Sequence, residues 1–228
     1  MSTTFIIAEA GLNHNGKFEL AKELVDKAVE TGADAVKFQT FKNKRPELVK
    51  YELPYEDFTK LKEYCDKKGI TFLSTPHTMD AIDFLDDLVP MFKVASPYLK
   101  NKEFLQKVAS KGKPIILSTG SFDNEDGMAT LEEVKESLSW IPDAEVILMH
   151  CVSKYPCEEP HYERIYQLKK LGKVVGLSDH SKNIKIPVVP YIEKHFMLKG
   201  VKCVDESVSM EPEDFKEMVE YIRKCEKS

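Results

Sequence analysis

The chain has 228 residues, 42% of them hydrophobic and 31% charged, with a formal net charge of −5. That balance belongs to a folded globular domain and excludes a disordered or low-complexity polymer. The acidic balance and the lack of any dense Lys/Arg run exclude a duplex nucleic-acid binder, and no apolar run reaches the roughly 18 residues that a membrane helix requires. A few lysines inside a pocket can still set a local field that suits an anionic small substrate. The cysteines are Cys65, Cys151, Cys157, Cys203 and Cys225. Their odd number and the absence of C-x-x-C give neither a disulfide framework nor a structural zinc site. With no basic, apolar leader at the N-terminus, they predict a reducing cytoplasm.

Short apolar runs alternate with amphipathic, charged stretches, the pattern of βα units around a parallel sheet. In chain order, a strand over Thr4–Glu9 precedes a helix over Phe18–Thr31, where Leu20, Ala21, Leu24, Val25 and Ala28 recur at helical spacing. Strand Ala35–Thr40 precedes helix Tyr55–Lys68, and strand Ile70–Thr75 precedes helix Met79–Leu88. Strand Phe92–Ser96 and helix Lys102–Lys111 follow, then strand Pro114–Ser118 and helix Leu131–Trp140, then strand Glu145–Cys151 and helix Tyr162–Leu171. After strand Lys173–Ser178 only about a dozen residues remain before the next strand, the minimum for a parallel crossover. Pro187 and Pro190 fall among them. The seventh helix is therefore expected to be a turn or two at most, or the barrel to be locally irregular there. Strand Tyr191–His195 and helix Glu211–Cys225, with Pro212 in its first turn, end the pattern. Eight units without a linker predict one (β/α)8 TIM barrel over residues 1–228, slightly trimmed against the usual size of about 250.

Strands of such a barrel are buried on both faces and should be apolar, so their polar residues are informative. Lys37 and Lys93 interrupt apolar runs, while Glu9, Thr75, Ser118 and the Ser178-Asp179-His180 run fall at strand C-terminal ends. That is the end where this fold builds its active site. Residues two apart share a face, so Lys37 goes with Gln39, Ser178 with His180 and Glu193 with His195. Lysines and hydroxyls converging on one mouth suit a phosphate and a carboxylate. Two histidines on neighbouring strands suit a divalent metal with open positions. Asp179, between Ser178 and His180, should face away from them and anchor the strand. Thr75 and Ser118 as helix caps, and His14 with Asn15 as a turn, are the plain alternatives.

The segments AEAGLNHNG (Ala8–Gly16), GADAVKFQT (Gly32–Thr40), FLSTP (Phe72–Pro76), KVAS (Lys93–Ser96), PIILSTG (Pro114–Gly120), GLSDHS (Gly176–Ser181) and EKHF (Glu193–Phe196) resemble, in order, those of the sialic acid synthase family. VDESVSMEPEDF (Val204–Phe215) is similar to the stretch after that family's last strand. The resemblance implies a barrel enzyme that condenses phosphoenolpyruvate with an N-acetylated aldose, releasing phosphate and a 2-keto-3-deoxy acid. It implies Lys37, Thr75, Lys93, Ser96, Ser118 and Ser178 as the phosphoenolpyruvate cradle. It implies His180 and His195 as ligands of Mn2+ or Mg2+, and Tyr155, Glu193 and Asp205 as sugar contacts. Glu9 is implied as the acid–base residue, acting with Lys93 and His180 at the reacting atoms. Gln39, beside Lys37, and Ser153, in the turn after strand six, complete the substrate-binding set.

The sequence also departs from the family. The chain ends at Ser228, where the family continues into an antifreeze-like domain, so a separate protein carrying that domain, or a homo-oligomer, is an expected partner. An acidic residue of the fourth-strand motif is replaced at Tyr98, an asparagine is replaced at Ser153, and the loop Phe41–Tyr55, which usually carries another sugar contact, is short. Two other readings stay open: a barrel that binds ligand but has lost turnover or needs a partner domain, and an unrelated barrel aldolase or isomerase.

Overall fold

The computed structural model describes residues 3–42 and 47–227. Eight strands form one sheet: β1 (Phe5–Gly11), β2 (Ala35–Thr40), β3 (Thr71–Pro76), β4 (Phe92–Val94), β5 (Ile115–Ser118), β6 (Val146–Cys151), β7 (Val174–Asp179) and β8 (Tyr191–His195). Their order is β3-β2-β1-β8-β7-β6-β5-β4, every ladder is parallel, and β1 pairs with β8. The two ends, β3 and β4, lie side by side, so the sheet curls into a nearly closed barrel. The helices are α1 (Phe18–Glu30), α2 (Tyr55–Lys68), α3 (Met79–Leu85), α4 (Lys102–Ala109), α5 (Leu131–Ser139), α6 (Arg164–Lys169) and α7 (Pro212–Cys225).

The period of two along each strand sorts the side chains. Outward residues such as Ile6, Ala8, Val36, Phe38 and Phe72 join the helix stripes, among them Ala21, Leu24, Val25 and Ala28 of α1, in one large core. Inward residues Ile7, Ala35, Leu73, Ile116, Ile147 and Met149 form a separate cluster inside the barrel, with Phe5, Met91 and Tyr191 packed against it. Gly176 sits in this crowded interior: a Cβ there would lie 2.5 Å from Met149 Sδ and 2.6 Å from the Tyr191 carbonyl oxygen.

Several element ends differ from the sequence reading. Strand β4 stops at Val94, because Pro97 turns the chain into a 3-10 helix over Ser96–Tyr98. Helix α6 is confined to Arg164–Lys169. Between β7 and β8 no helix forms among the described residues, in line with the expected reduction of the seventh unit. There Ile186 and Val189 are buried, and a polar strut runs beside them. Lys194 ion-pairs with Asp179 at 3.1 Å and donates to the Ser181 carbonyl at 2.6 Å, while the Tyr162 hydroxyl donates to Asp179 at 2.6 Å. Asp179 thus faces outward and fastens β7 to β8. In the short loop Phe41–Tyr55, residues 43–46 lie outside the described residues, and Val49–Tyr51 forms a 3-10 turn.

Candidate active site

The same alternation that buries Ile7, Ala35, Leu73, Ile116 and Met149 brings a polar layer into the barrel above them. Two residues further on stand Glu9, Lys37, Thr75, Ser118 and Cys151, the next inward side chains of their strands. Lys93, Ser178, Glu193 and His195 join them, and together these residues line a cavity of about 200 Å³ at the C-terminal end of the strands. Gln39, Ser96, Tyr155 and His180 also line it. Of the predicted site residues, Ser153 and Asp205 stand just behind the wall. Ser153 crowds Gly120, and Asp205 reaches His195.

Charge is paired inside the cavity. Lys37 contacts the Glu9 carboxylate, stands 3.5 Å from Glu193, and donates to the Thr75 hydroxyl at 3.1 Å. Lys93 and the Ser178 hydroxyl both donate to Glu193 Oε1, at 3.1 and 2.9 Å. Gln39 reaches Glu9 at 3.4 Å. The two carboxyls are driven apart. Burial raises the Glu9 carboxyl above the usual carboxylate range, against the pull of Lys37, and the Glu193 charge adds to the rise. Burial also works against ionised Glu193, but Lys37 and Lys93, with the hydrogen bonds from Lys93 and Ser178, hold it well below that range. Lys37, although buried, is kept protonated by Glu193 and Glu9. Two nearby carboxyls pushed in opposite directions are a common mark of divided acid and base roles.

The two histidines converge, with ring centroids 5.3 Å apart. The Nδ1 of His180 meets the Val152 carbonyl oxygen at 2.7 Å, and the Nδ1 of His195 lies 3.4 Å from the Asp205 carboxylate. A metal-binding histidine commonly turns one nitrogen to such an acceptor and leaves the other for the ion. This donor chemistry fits a divalent ion held by two imidazoles with open positions. Among the described residues no group of three His, Cys, Asp or Glu side chains is arranged as a closed cage. The Tyr155 hydroxyl, 3.2 Å from His180 Nε2, is the neighbouring oxygen.

Several lining residues were not singled out from sequence: His77, Ala95, Pro97 and Phe122. Cys151 also lines the cavity, its sulfur 3.8 Å from Ser96 Oγ and 4.0 Å from His180 Nδ1. Tyr98 donates to the His77 carbonyl at 2.8 Å and lies 3.3 Å from His77 Nδ1. Gly120 is a further addition. A Cβ there would lie 2.3 Å from Ser153 Oγ and 2.7 Å from Ser96 Oγ, so its bare backbone is what lets these hydroxyls gather. The STG run that carries it is visible in sequence, but its close neighbours come from β6 and the loops after β4 and β6, the strands on either side of β5.

The model of the NeuB family matches residues 45–228. The chain is 38% identical to N,N'-diacetyllegionaminic acid synthase of Legionella pneumophila, over 98% of this chain and 72% of that protein. It is 34% identical to pseudaminic acid synthase of Campylobacter jejuni, over 97% of this chain and 74% of that protein. Among solved structures it is similar to N-acetylneuraminic acid (sialic acid) synthetase from Leptospira borgpetersenii in complex with citrate. There the TM-score is 0.90 and the identity 32%, over 99% of this chain and 85% of the other.

Proposed function

The chain belongs to the NeuB family, and we propose that it joins phosphoenolpyruvate to an N-acylated sugar aldehyde, giving a nonulosonic (sialic-type) 2-keto-3-deoxy acid and phosphate. The observation that carries this reading is the polar layer itself. Two buried lysines and a set of hydroxyls face two converging histidines across one small cavity. In this reading Lys37, Lys93, Thr75, Ser96, Ser118 and Ser178, with Ser153 behind them, hold the phosphate and carboxylate. Tyr155, Glu193, Asp205 and Gln39 orient the sugar. His180 and His195 would hold a divalent ion, Mn2+ or Mg2+, whose Lewis acidity would polarise the aldehyde.

The new bond forms between C3 of phosphoenolpyruvate and the aldehyde carbon as the aldehyde C=O π bond breaks onto its oxygen, leaving positive charge at C2. Glu9 gives its proton to that oxygen, which becomes a hydroxyl, and then takes one from the water it directs to C2, which suits a carboxyl whose affinity for protons is raised. The C2–O bond to phosphate then breaks as the C2 hydroxyl becomes the ketone and its proton leaves with the phosphate, whose charge the lysines and hydroxyls hold. Holding both substrates in register contributes up to about 7–11 kcal/mol in well-oriented reactions. The whole chain acts as one barrel domain, and its five free thiols accord with a reducing cytoplasm.

The test is phosphate release from phosphoenolpyruvate with Mn2+ against a panel of aldoses that includes N-acetylmannosamine, comparing wild type with His195→Ala. Release that depends on sugar and is lost in the variant is expected. Phosphoenolpyruvate binding without release, whatever the sugar, would overturn the condensing reading.

A further inference from the structure

Phe122 is a large apolar ring with 60% of its surface open to solvent. Single exposed apolar residues are ordinary, but this one lines the cavity that holds the lysines and histidines. Its ring lies nearly parallel to that of Tyr155, at an interplanar angle of 7° and a centroid distance of 6.4 Å. Tyr155 is itself 46% exposed. Its hydroxyl and ring both reach His180, the ring centroids being 4.3 Å apart. The two rings therefore form a wall that starts at the histidines and runs outward to solvent.

The loop that presents Phe122 is built to hold it there. Ser121 N–H donates to the Gly127 carbonyl at 2.9 Å, Asn124 Nδ2 donates to the Met128 carbonyl at 2.7 Å, and Asp123 pairs with Lys100 at 2.7 Å. The Gly127 carbonyl also accepts from Ser153 N–H at 2.8 Å, tying this loop to the one that carries Tyr155.

Phe122 and Tyr155 are the two benzenoid rings of the cavity, while its lysines, carboxylates and most of its hydroxyls come from the strand ends below. An anionic reactant belongs on the floor with Lys37 and Lys93, and a second reactant at the histidines lays its far side along the two rings. Hydroxyl groups on that side would lose water against an apolar face without gaining a partner. A methyl group or a flat amide would gain contact. We propose that Phe122, together with Tyr155, is a specificity-determining wall that selects sugars bearing an apolar substituent, such as an N-acyl methyl group or a deoxy carbon, over the parent hydroxylated sugars. This rests on the condensing reading above.

The experiment compares wild type, Phe122→Ala and Phe122→Tyr with N-acetylmannosamine and N-acetylglucosamine against mannose and glucose. It reads kcat/KM with phosphoenolpyruvate and Mn2+, and saturation-transfer NMR on the sugars with phosphoenolpyruvate bound. Losing one apolar contact in a pocket is worth roughly 10–200-fold in discrimination, so Phe122→Ala should lower the preference for acylated over parent sugar by about tenfold. Phe122→Tyr keeps the flat ring and should retain the preference. In wild type the acetyl methyl should be the most strongly saturated sugar group. Turnover by wild type with an unchanged preference in Phe122→Ala would overturn this inference alone. Absence of sugar binding and turnover in wild type with phosphoenolpyruvate bound would overturn it together with the condensing reading.

Discussion

Lys194 is fully buried on the outer face of β8, where a helix after β7 would ordinarily lie, and its ammonium is matched by Asp179 at 3.1 Å. Replacing it as Lys194→Met keeps the apolar length but strips Asp179 of its counter-ion. Removing one partner of a buried pair costs about 3–5 kcal/mol, because the other charge stays behind. Here Asp179 keeps two donors, the Ser181 N–H at 2.6 Å and the Tyr162 hydroxyl at 2.6 Å, while the Ser181 carbonyl loses the one from Lys194. The expected loss is therefore at the low end, about 3 kcal/mol. Burial works to raise the Asp179 carboxyl, but Lys194, Ser181 and Tyr162 outweigh it and hold it below its ordinary 3.8. A carboxyl depressed in the folded state stabilises fully above its unfolded value and loses that contribution as pH falls through the folded value. The difference between wild type and variant should thus shrink as pH falls, starting where the variant's unpaired, buried Asp179 takes up a proton and ending where the wild-type carboxyl does. Urea unfolding followed by circular dichroism reads it directly, with Lys194→Met/Asp179→Asn completing a double-mutant cycle. The double variant should be less damaged than the two single losses added together, by at least about 1 kcal/mol. A single-variant loss below about 1 kcal/mol, against the 3 expected, or strict additivity in the cycle, would refute the strut.

Two other predictions concern the first loop and the cradle. Burial lowers His14 from 6.5 to about 4, and its Nδ1 accepts the Gly16 N–H at 3.0 Å, so the folded state keeps the ring neutral. Between those values the unfolded chain binds the extra proton, so stability should fall as pH drops from 6.5 toward 4, by up to about 3 kcal/mol at 1.36 per pH unit. His14→Gln should flatten that fall in urea midpoints measured from pH 7 to 4.5, and an identical slope in the variant would remove His14 as the cause. Gly120→Ala places a methyl against Ser153 and Ser96 and should weaken phosphoenolpyruvate binding by at least about tenfold, or 1.4 kcal/mol. Calorimetric titration giving an unchanged Kd would show that the cradle does not need that bare backbone.

The strand residues of the site were legible because alternation is a local property. Once Ala35–Thr40 reads as a strand, Lys37 and Gln39 must share a face, and the same holds for Glu193 and His195. The eight βα units pointed to the barrel, and the ordered segments to the family. What could not be read depends on the register between strands and on where loops fold back. Asp179 and Lys194 are paired by the β7–β8 register, and by alternation Lys194 falls on the face where an exposed lysine would be expected. Its burial follows from Ile186 and Val189 closing over a place with no helix. Phe122 lies on a loop, where no periodicity assigns a direction, and the tie from Gly127 to Ser153 joins that loop to the one that carries Tyr155. The short β4 shows the limit of boundary reading, since Pro97 acts on the residues before it.

The charges of the cavity constrain how the proposed reaction can begin. Lys37 and Lys93 are already matched by Glu9 and Glu193, so an arriving phosphate or carboxylate enters beside two carboxylates as well as two ammoniums. In a small, buried cavity two like charges about 4 Å apart repel by about 4 kcal/mol at an effective dielectric of 20. Taking up a proton on one carboxyl relieves that repulsion, and the two are unequal candidates. Glu193 is held ionised by both lysines and Ser178, whereas burial already favours the neutral form of Glu9. Under the proposed function, anion binding therefore loads the proton onto Glu9 and frees Lys37 from it, while Glu193 keeps Lys93 aimed into the cavity. The carboxyl that must move a proton in the reaction is then the one that the substrate itself protonates on arrival.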